Sequence, residues 1–594
     1  MSEKMENQLN LALGTPESVR EQTLDLNVGF DAAERTWELI VKYNCSLSEL
    51  QADGVIVEPL IAGYAILTVP EGMVNAVSAN PGIEYVEKPK NFFYSLEGPS
   101  TRACISSVLD REPFLSGSGV LLAILDSGLA YRRREFRNLD GSTRVRFLWD
   151  QTLEPREGLP GPPEGFRGGV EFDRERINEA LNAGTEAEGF SLVPSIDVSG
   201  HGTAVAGIAA GFTAAGYRGV APNADLLIVK LGGGNGEAAG YSKTTQIMRA
   251  VTYALRKGLE LGMPLVINLS FGNTYGPHNG SSLLERFLDN ASEIGRTSIC
   301  VASGNEGNAS GHVQAQIDRR RIIEMAVAGF ERNLSVQLWK QFSDEYRITL
   351  RAPGGTQVYL NSSQSVSEGG YSLEVENTRI LVYYGQPTPY STSQEIYLEM
   401  LPSGGRTYLA SGIWQFRLEP IRVVTGQYYL YLPSAVTRNQ GTGFLEPSPA
   451  VTLTIPSTAG KVITVGAMDT LSDSYADFSG RGFDSEAGGE RVGFGTIKPD
   501  IVAPGVNIVA PDPYSGYVTV SGTSFATPIV SGSAALLMEW GIQRGNDPYL
   551  YGEKIKAYFR AGALPLRGEN VYPNERVGYG TACVAASLPK EIFQ

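Results

Sequence analysis

Histidine is scarce in this chain, with 3 in 594 residues: His201, His278 and His312. Chemistry that needs an imidazole near neutral pH must use one of those positions. Cysteine is nearly as rare; Cys45, Cys104, Cys300 and Cys583 lie far apart, with no C-x-x-C pair. That spacing indicates neither a zinc site nor a disulfide framework, and scattered reduced thiols are expected. No run approaches 18 uninterrupted apolar residues, so no membrane span is expected. The first residues, Met1 to Asn7, lack a basic segment followed by an apolar one, so no signal peptide is read there and the chain is expected to be made in the cytoplasm. Positive charge is also in deficit. Lys and Arg total 49 against 64 Asp and Glu, a net charge of −15, which argues against nucleic acid or an anionic membrane surface as partner.

What is present is an ordinary globular composition, 42% hydrophobic and 19% charged, with length for more than one domain. Three short stretches carry the chemistry. Leu121 to Asp126, followed by Ser127-Gly128, reads as a buried strand ending on a carboxylate. Ser199-Gly200-His201-Gly202-Thr203 places a histidine at the start of a small-residue helix. Ser521-Gly522-Thr523-Ser524-Phe525-Ala526-Thr527-Pro528 places a serine after a tight turn, ahead of an apolar helix. An isolated Gly-Thr-Ser is most simply a helix cap. The order Asp126, His201, Ser524, each beside a glycine turn at the end of an element, is instead one of the known orders of a nucleophile–base–carboxylate triad.

Through these three motifs the chain resembles the subtilisin-like serine proteases (subtilases, S8 family). The resemblance implies that Ser524 is the nucleophile, that His201 carries its proton, and that Asp126 orients the imidazole. Cys300-Val301-Ala302-Ser303-Gly304-Asn305-Glu306-Gly307 resembles the oxyanion turn, with Asn305 and the Ser524 N–H as donors. Ser270-Phe271-Gly272 and the glycine run 232–240 resemble the two edges between which a peptide adds as a strand. Ser303 and Gly304 would border the first specificity pocket. His278 and His312 have no matching motif and are read as surface loop residues. No metal or other cofactor is expected: the loop 211–218, where many relatives hold calcium, offers no carboxylate.

The fold class implied is α/β, a doubly wound and mostly parallel sheet, since buried strands at 120–125, 225–230 and 265–269 alternate with helical patterns such as 246–255. Two departures flank it. Residues 1–96 read as a small α+β propeptide: a polar, loosely ordered start, a strand from Trp37 to Tyr43, a short helix from Leu47 to Ala52, two strands around Gly63, a helix at 71–80, and a strand at 83–87. The protease domain then occupies 97–315 and 451–594, with a surface excursion at 150–195. Between its halves, residues 316–450 alternate polar and apolar in short runs, as an antiparallel jelly-roll-like sandwich does. Self-cleavage is expected in the propeptide end, at Tyr94, Ser95, Leu96 or Glu97.

A propeptide with the strand Trp37-Glu38-Leu39-Ile40-Val41-Lys42-Tyr43, a β-insertion between oxyanion turn and nucleophile, and no signal peptide together resemble the Csp germination proteases of clostridial spores. In that group the propeptide is cut autocatalytically and stays bound, and the enzyme activates the zymogen of a spore cortex hydrolase. Those partners, and incorporation in the spore, are what the resemblance implies here. Two other readings stay open: a subtilase housed inside the cell with another protein substrate, and a pseudoprotease that senses or binds.

Overall fold

A strand that is apolar at every position needs cover on both faces, and Leu121–Asp126 is buried at all six. It lies near the middle of a nine-stranded sheet. The computed structural model describes residues 3–23, 25–44, 47, 54–93, 104–214, 216–232, 241–360, 370–483 and 497–589. The chain forms two compact units, one of residues 1–91, 273–283 and 306–455, the other of residues 92–272, 284–305 and 456–594.

The second unit holds the large sheet. Leu121–Asp126 runs parallel to Asp225–Lys230 on one side and Leu265–Leu269 on the other. Beyond these come Val145–Asp150, Thr297–Ala302, Ile463–Asp469 and Ile501–Pro504, all parallel. Successive side chains of a strand face opposite ways. Leu122 and Ile124 therefore enter one layer, with Val205, Phe525 and Ile529, while Leu121, Ala123 and Leu125 point to the other. The helix Thr244–Leu261 buries Ile247, Val251 and Leu255, and ends on Gly262 in the left-handed region, a common helix stop.

Two expectations about this unit change. The stretch 150–195 is more than a surface excursion. Val170–Asp173 adds an antiparallel edge strand to the sheet, and the helices Arg174–Leu181 and Glu186–Leu192 follow it. The second of these opens with a capping box formed by Thr185 and Glu188, the local chemistry that starts a helix in a polar sequence. Cys104 and Cys583, expected to be reduced, form a disulfide across 479 residues of sequence, with Cα atoms 5.0 Å apart. Spacing gave no sign of it because the pairing is made by tertiary structure alone. Cys300 is free and buried, and burial pushes its thiol up to about 12.

The first unit joins the N-terminal segment to the β-insertion. Thr36–Tyr43, Tyr64–Pro70, Ile56–Pro59 and Ile83–Glu87 form an antiparallel sheet, and Val74–Ala79 supplies a helix. The short helix expected from Leu47 to Ala52 falls almost wholly outside the described residues. In the insertion, a six-stranded and a five-stranded antiparallel sheet enclose a core that includes Val336, Ile348, Leu398, Trp414 and Leu430. The sandwich is therefore present as its alternating sequence predicts.

The start of the chain is more ordered than its polarity suggests. Asn7–Gly14 is a helix that buries Leu9, Leu11 and Ala12, and these join a cluster with Trp37, Leu381, Tyr383, Tyr397 and Leu401. Polar residues on this helix are buried because the insertion supplies partners: Asn7 Nδ2 donates to Glu395 Oε2 at 2.7 Å. His278 and His312 are also buried rather than exposed, stacked on Tyr431 with ring centroids 3.9 and 4.4 Å away. Burial lowers their pKa values to about 4 and about 3.

This unit buries several carboxyl groups, and burial raises them: Asp25 to about 6, Glu395 to about 7 and Glu399 to about 8. An acid whose folded pKa lies above its unfolded value stabilises the fold at low pH, and that contribution is lost as pH rises through the folded value. Burial lowers Lys88 to about 8, so it is charged in both states over most of this range and offsets the loss only above it. The uncut Ser524→Ala chain should therefore melt at lower temperature at about pH 8 than at about pH 6. Differential scanning calorimetry reads this directly; Glu399→Gln should flatten the dependence, and a transition that rises with pH contradicts it.

Candidate active site

Parallel strands deliver polar side chains to solvent at their carboxyl ends, and Asp126 is the last residue of its strand. Its Oδ1 lies 2.7 Å from His201 Nδ1 and accepts the Ser127 N–H at 2.7 Å. A carboxylate at Nδ1 places the proton there and leaves Nε2 to act as the base. His201 opens the helix His201–Ala210, whose cap residue Gly200 has φ 76°. The next residue must also be glycine, because a Cβ on Gly202 would sit 2.3 Å from the Gly128 carbonyl oxygen. Asp126 and His201 are each about 1% exposed.

Ser524 is the second residue of the helix Thr523–Met538, which contains Pro528. Proline has no N–H, so the Ser524 carbonyl, four residues earlier, loses its helical partner. The Ser270 hydroxyl replaces it at 2.9 Å, while Ser524 Oγ donates to the Ser270 carbonyl at 2.8 Å. Behind this exchange, Asn268 Nδ2 donates to Ser270 Oγ and accepts at Oδ1 from Ser531 Oγ, both at 2.8 Å. For attack the serine hydroxyl has to turn from the Ser270 carbonyl to the imidazole. The His201 ring already lies 5.2 Å from that of Phe525, the next residue.

Asn305 Oδ1 accepts from Thr523 N and Oγ1 at 3.0 and 2.9 Å. With its oxygen occupied, the amide presents Nδ2 as a donor toward the turn before Ser524, where a Cβ on Gly522 would lie 3.0 Å from it. Gly304 N donates to Thr523 Oγ1 at 3.2 Å. Ser303 is fully buried with its hydroxyl against Ser479, so only its backbone is available to line a pocket. Ser270 is likewise buried, and Gly272 is half-buried. Phe271 is taken up by Phe92, whose ring meets it edge-on at 5.7 Å and 79°. Phe92 lies in the strand Asn91–Phe93, which pairs with Tyr241–Lys243. The expected cleavage residues 94–97 and the glycine run from 233 to 240 lie outside the described residues. Among the described residues, no three metal-ligating side chains come together.

Over residues 117–380 and 439–580 the sequence matches the subtilase family. The chain belongs to the subtilases, a family of serine proteases. Residues 3–90 match the Csp protease B prodomain. Among solved structures it is similar to the CspB protease of Clostridium perfringens, at 34% identity and a TM-score of 0.73, covering 82% of this chain and 96% of that one. Among curated proteins it is 24% identical over 492 residues to the minor extracellular protease Vpr of Bacillus subtilis. That match covers 80% of this chain and 52% of Vpr, so the chain spans about half that relative's length. It is also 37% identical over 160 residues to the B. subtilis serine protease AprX, covering 23% of this chain and 32% of AprX.

Sequence motifs did not reveal the support under Ser270 and Ser524, which is Asn268 and Ser531. A signal existed, since Asn268 interrupts an otherwise apolar buried strand, Leu265–Leu269, and a buried amide needs partners. Asn305→Ala should slow self-cleavage by about a hundred- to a thousandfold, the range measured for the corresponding loss in a subtilisin. Following the two fragments by mass after dilution from denaturant checks this; an unchanged rate removes Asn305 from the chemistry.

Proposed function

We propose that this subtilase is a serine endopeptidase that cuts its own N-terminal segment, retains it, and then activates a spore cortex hydrolase zymogen by limited proteolysis during germination. The observation that carries the self-cleavage is the strand Asn91–Phe93, paired with Tyr241–Lys243 and resting through Phe92 on Phe271. Substrate added as a strand is held by backbone pairing of the same kind, and the cleavage expected at 94–97 follows this strand directly in the sequence. In this reading Ser524 attacks, His201 Nε2 takes its proton and returns it to the leaving amine, and Asp126 stabilises the imidazolium. The Asn305 amide and the Ser524 N–H stabilise the oxyanion.

Retention is supported by the first unit, where the N-terminal segment shares an apolar core with the β-insertion. Severing the chain near residue 95 leaves Leu9, Trp37, Tyr383 and Tyr397 still packed together. Similarity to the Csp protease B prodomain and to the CspB protease supports the germination role, and incorporation of the protein in the spore is part of the same reading.

Two measurements test the proposal. Wild type should appear under denaturing conditions as two fragments whose masses sum to the intact chain plus one water, coeluting on a native sizing column, while Ser524→Ala stays whole. Wild type, and not the variant, should make one defined cut in a coexpressed cortex-hydrolase zymogen. An intact wild-type chain would overturn the enzyme reading; self-cleavage without a zymogen cut would leave a subtilase of another substrate.

A further inference from the structure

Asp197 is about 1% exposed and stands four residues before the histidine. Its Oδ1 accepts from Ser127 Oγ at 2.8 Å and Gly200 N at 3.0 Å, with Ser199 Oγ at 3.4 Å. Its Oδ2 accepts from Thr203 N at 2.8 Å and Thr203 Oγ1 at 2.6 Å. Among the described residues these partners are all uncharged donors. A buried carboxylate whose hydrogen-bond partners carry no charge is costly unless those hydrogen bonds and nearby dipoles meet its charge. Here the donors do so together with the amino terminus of His201–Ala210, the positive end of the helix.

The location of those donors gives the carboxylate a second consequence. Ser127 follows Asp126 directly, and its Oγ, besides donating to Asp197, accepts the Gly202 N–H at 2.8 Å. Gly200, Gly202 and Thr203 surround His201. Thr203 Oγ1 in turn accepts the Ala130 N–H at 2.9 Å. One carboxylate thus ties the turn after the Asp126 strand to the first turn of the histidine helix, from both sides of the Asp126–His201 hydrogen bond.

We infer that Asp197 is a positioning residue for the acid–base pair: through Ser127, Gly200 and Thr203 it sets the Asp126–His201 separation. The inference rests on the protease reading above. An ordinary helix cap would contribute stability alone. A positioning residue also changes how readily the imidazolium forms, because the Asp126 carboxylate acts on it across the 2.7 Å contact that is being set.

The test uses full-length protein. With three histidines in the sequence, selective ring labelling in the uncut Ser524→Ala chain gives three imidazole signals, assignable by substitution. In that background Asp197→Asn should move the His201 titration to lower pH and weaken the low-field Nδ1 proton resonance. With Ser524 present, Asp197→Asn should slow self-cleavage by about ten- to a hundredfold, the scale of small misplacements of a catalytic group. Ser127→Ala should weaken the Nδ1 resonance and move the titration the same way by less than Asp197→Asn does, and Ser127→Thr should restore both. An Asp197→Asn chain that folds and shows an unchanged titration and rate overturns the inference. If that variant fails to fold, a wild-type resonance in Ser127→Ala overturns it instead. The magnetic-resonance readout needs no turnover, so these outcomes stay separate from failure of the protease reading, which appears as a wild type that cleaves no better than Ser524→Ala.

Discussion

A parallel sheet covered on both faces can show polar chemistry only at its strand ends, because between them every backbone group is paired and every side chain faces an apolar layer. The second unit follows this, with Asn268 an exception, an amide inside its strand held by Ser270 and Ser531. Asp126 stands at the end of one strand, Ser270 just past the end of Leu265–Leu269, and Ser303 to Asn305 just past the end of Thr297–Ala302. His201 and Ser524 come from the other side, at or near helix amino termini. What brings them together is close approach: a Cβ at 202 would strike the Gly128 carbonyl oxygen, while Gly522 takes φ 142° with the Asn305 side chain against it. The helix Thr523–Met538 depends on the same economy of partners: Pro528 removes one donor, and a strand-end serine supplies another.

The first unit follows a different logic. Its two parts are separated by more than 200 residues of sequence, yet they share one apolar cluster, and the helix Asn7–Gly14 lies in it. Buried carboxyl groups from both parts, Asp25, Glu395 and Glu399 among them, are kept near neutrality by desolvation rather than by ion pairs alone. Lys90 is held between Glu6 and Glu87 at 2.9 and 2.6 Å, and the buried Arg20 pairs with Glu71 at 3.2 Å. Apolar packing with few paired charges makes this seam sensitive to protons more than to salt.

Much of this was legible in the sequence where a single period or a single turn decides the outcome. The strand Leu265–Leu269 was readable from an apolar run, and the sandwich strands from polar–apolar alternation, because side-chain periodicity is local. The three motifs around Asp126, His201 and Ser524 were readable because glycine marks turns that no other residue tolerates. Features that arise between distant segments were not. Asn7 and Gln8 look like solvent-facing residues until Glu395 is placed beside them, and His278 and His312 look like loop residues until Tyr431 lies between them. Cys104 and Cys583 carry no mark of each other. Asp197 was passed over because a carboxylate in a Ser-Ile-Asp-Val-Ser stretch resembles any turn former.

The disulfide gives the polypeptide an unusual topology. Cys104 follows the region proposed for self-cleavage by a few residues. A cut there would therefore sever the N-terminal segment covalently while leaving residues 104–583 as one covalent ring. Such a ring has fewer conformations open to it when unfolded than a linear chain of the same length, so the proposed cut would leave this restraint on the unfolded state in place.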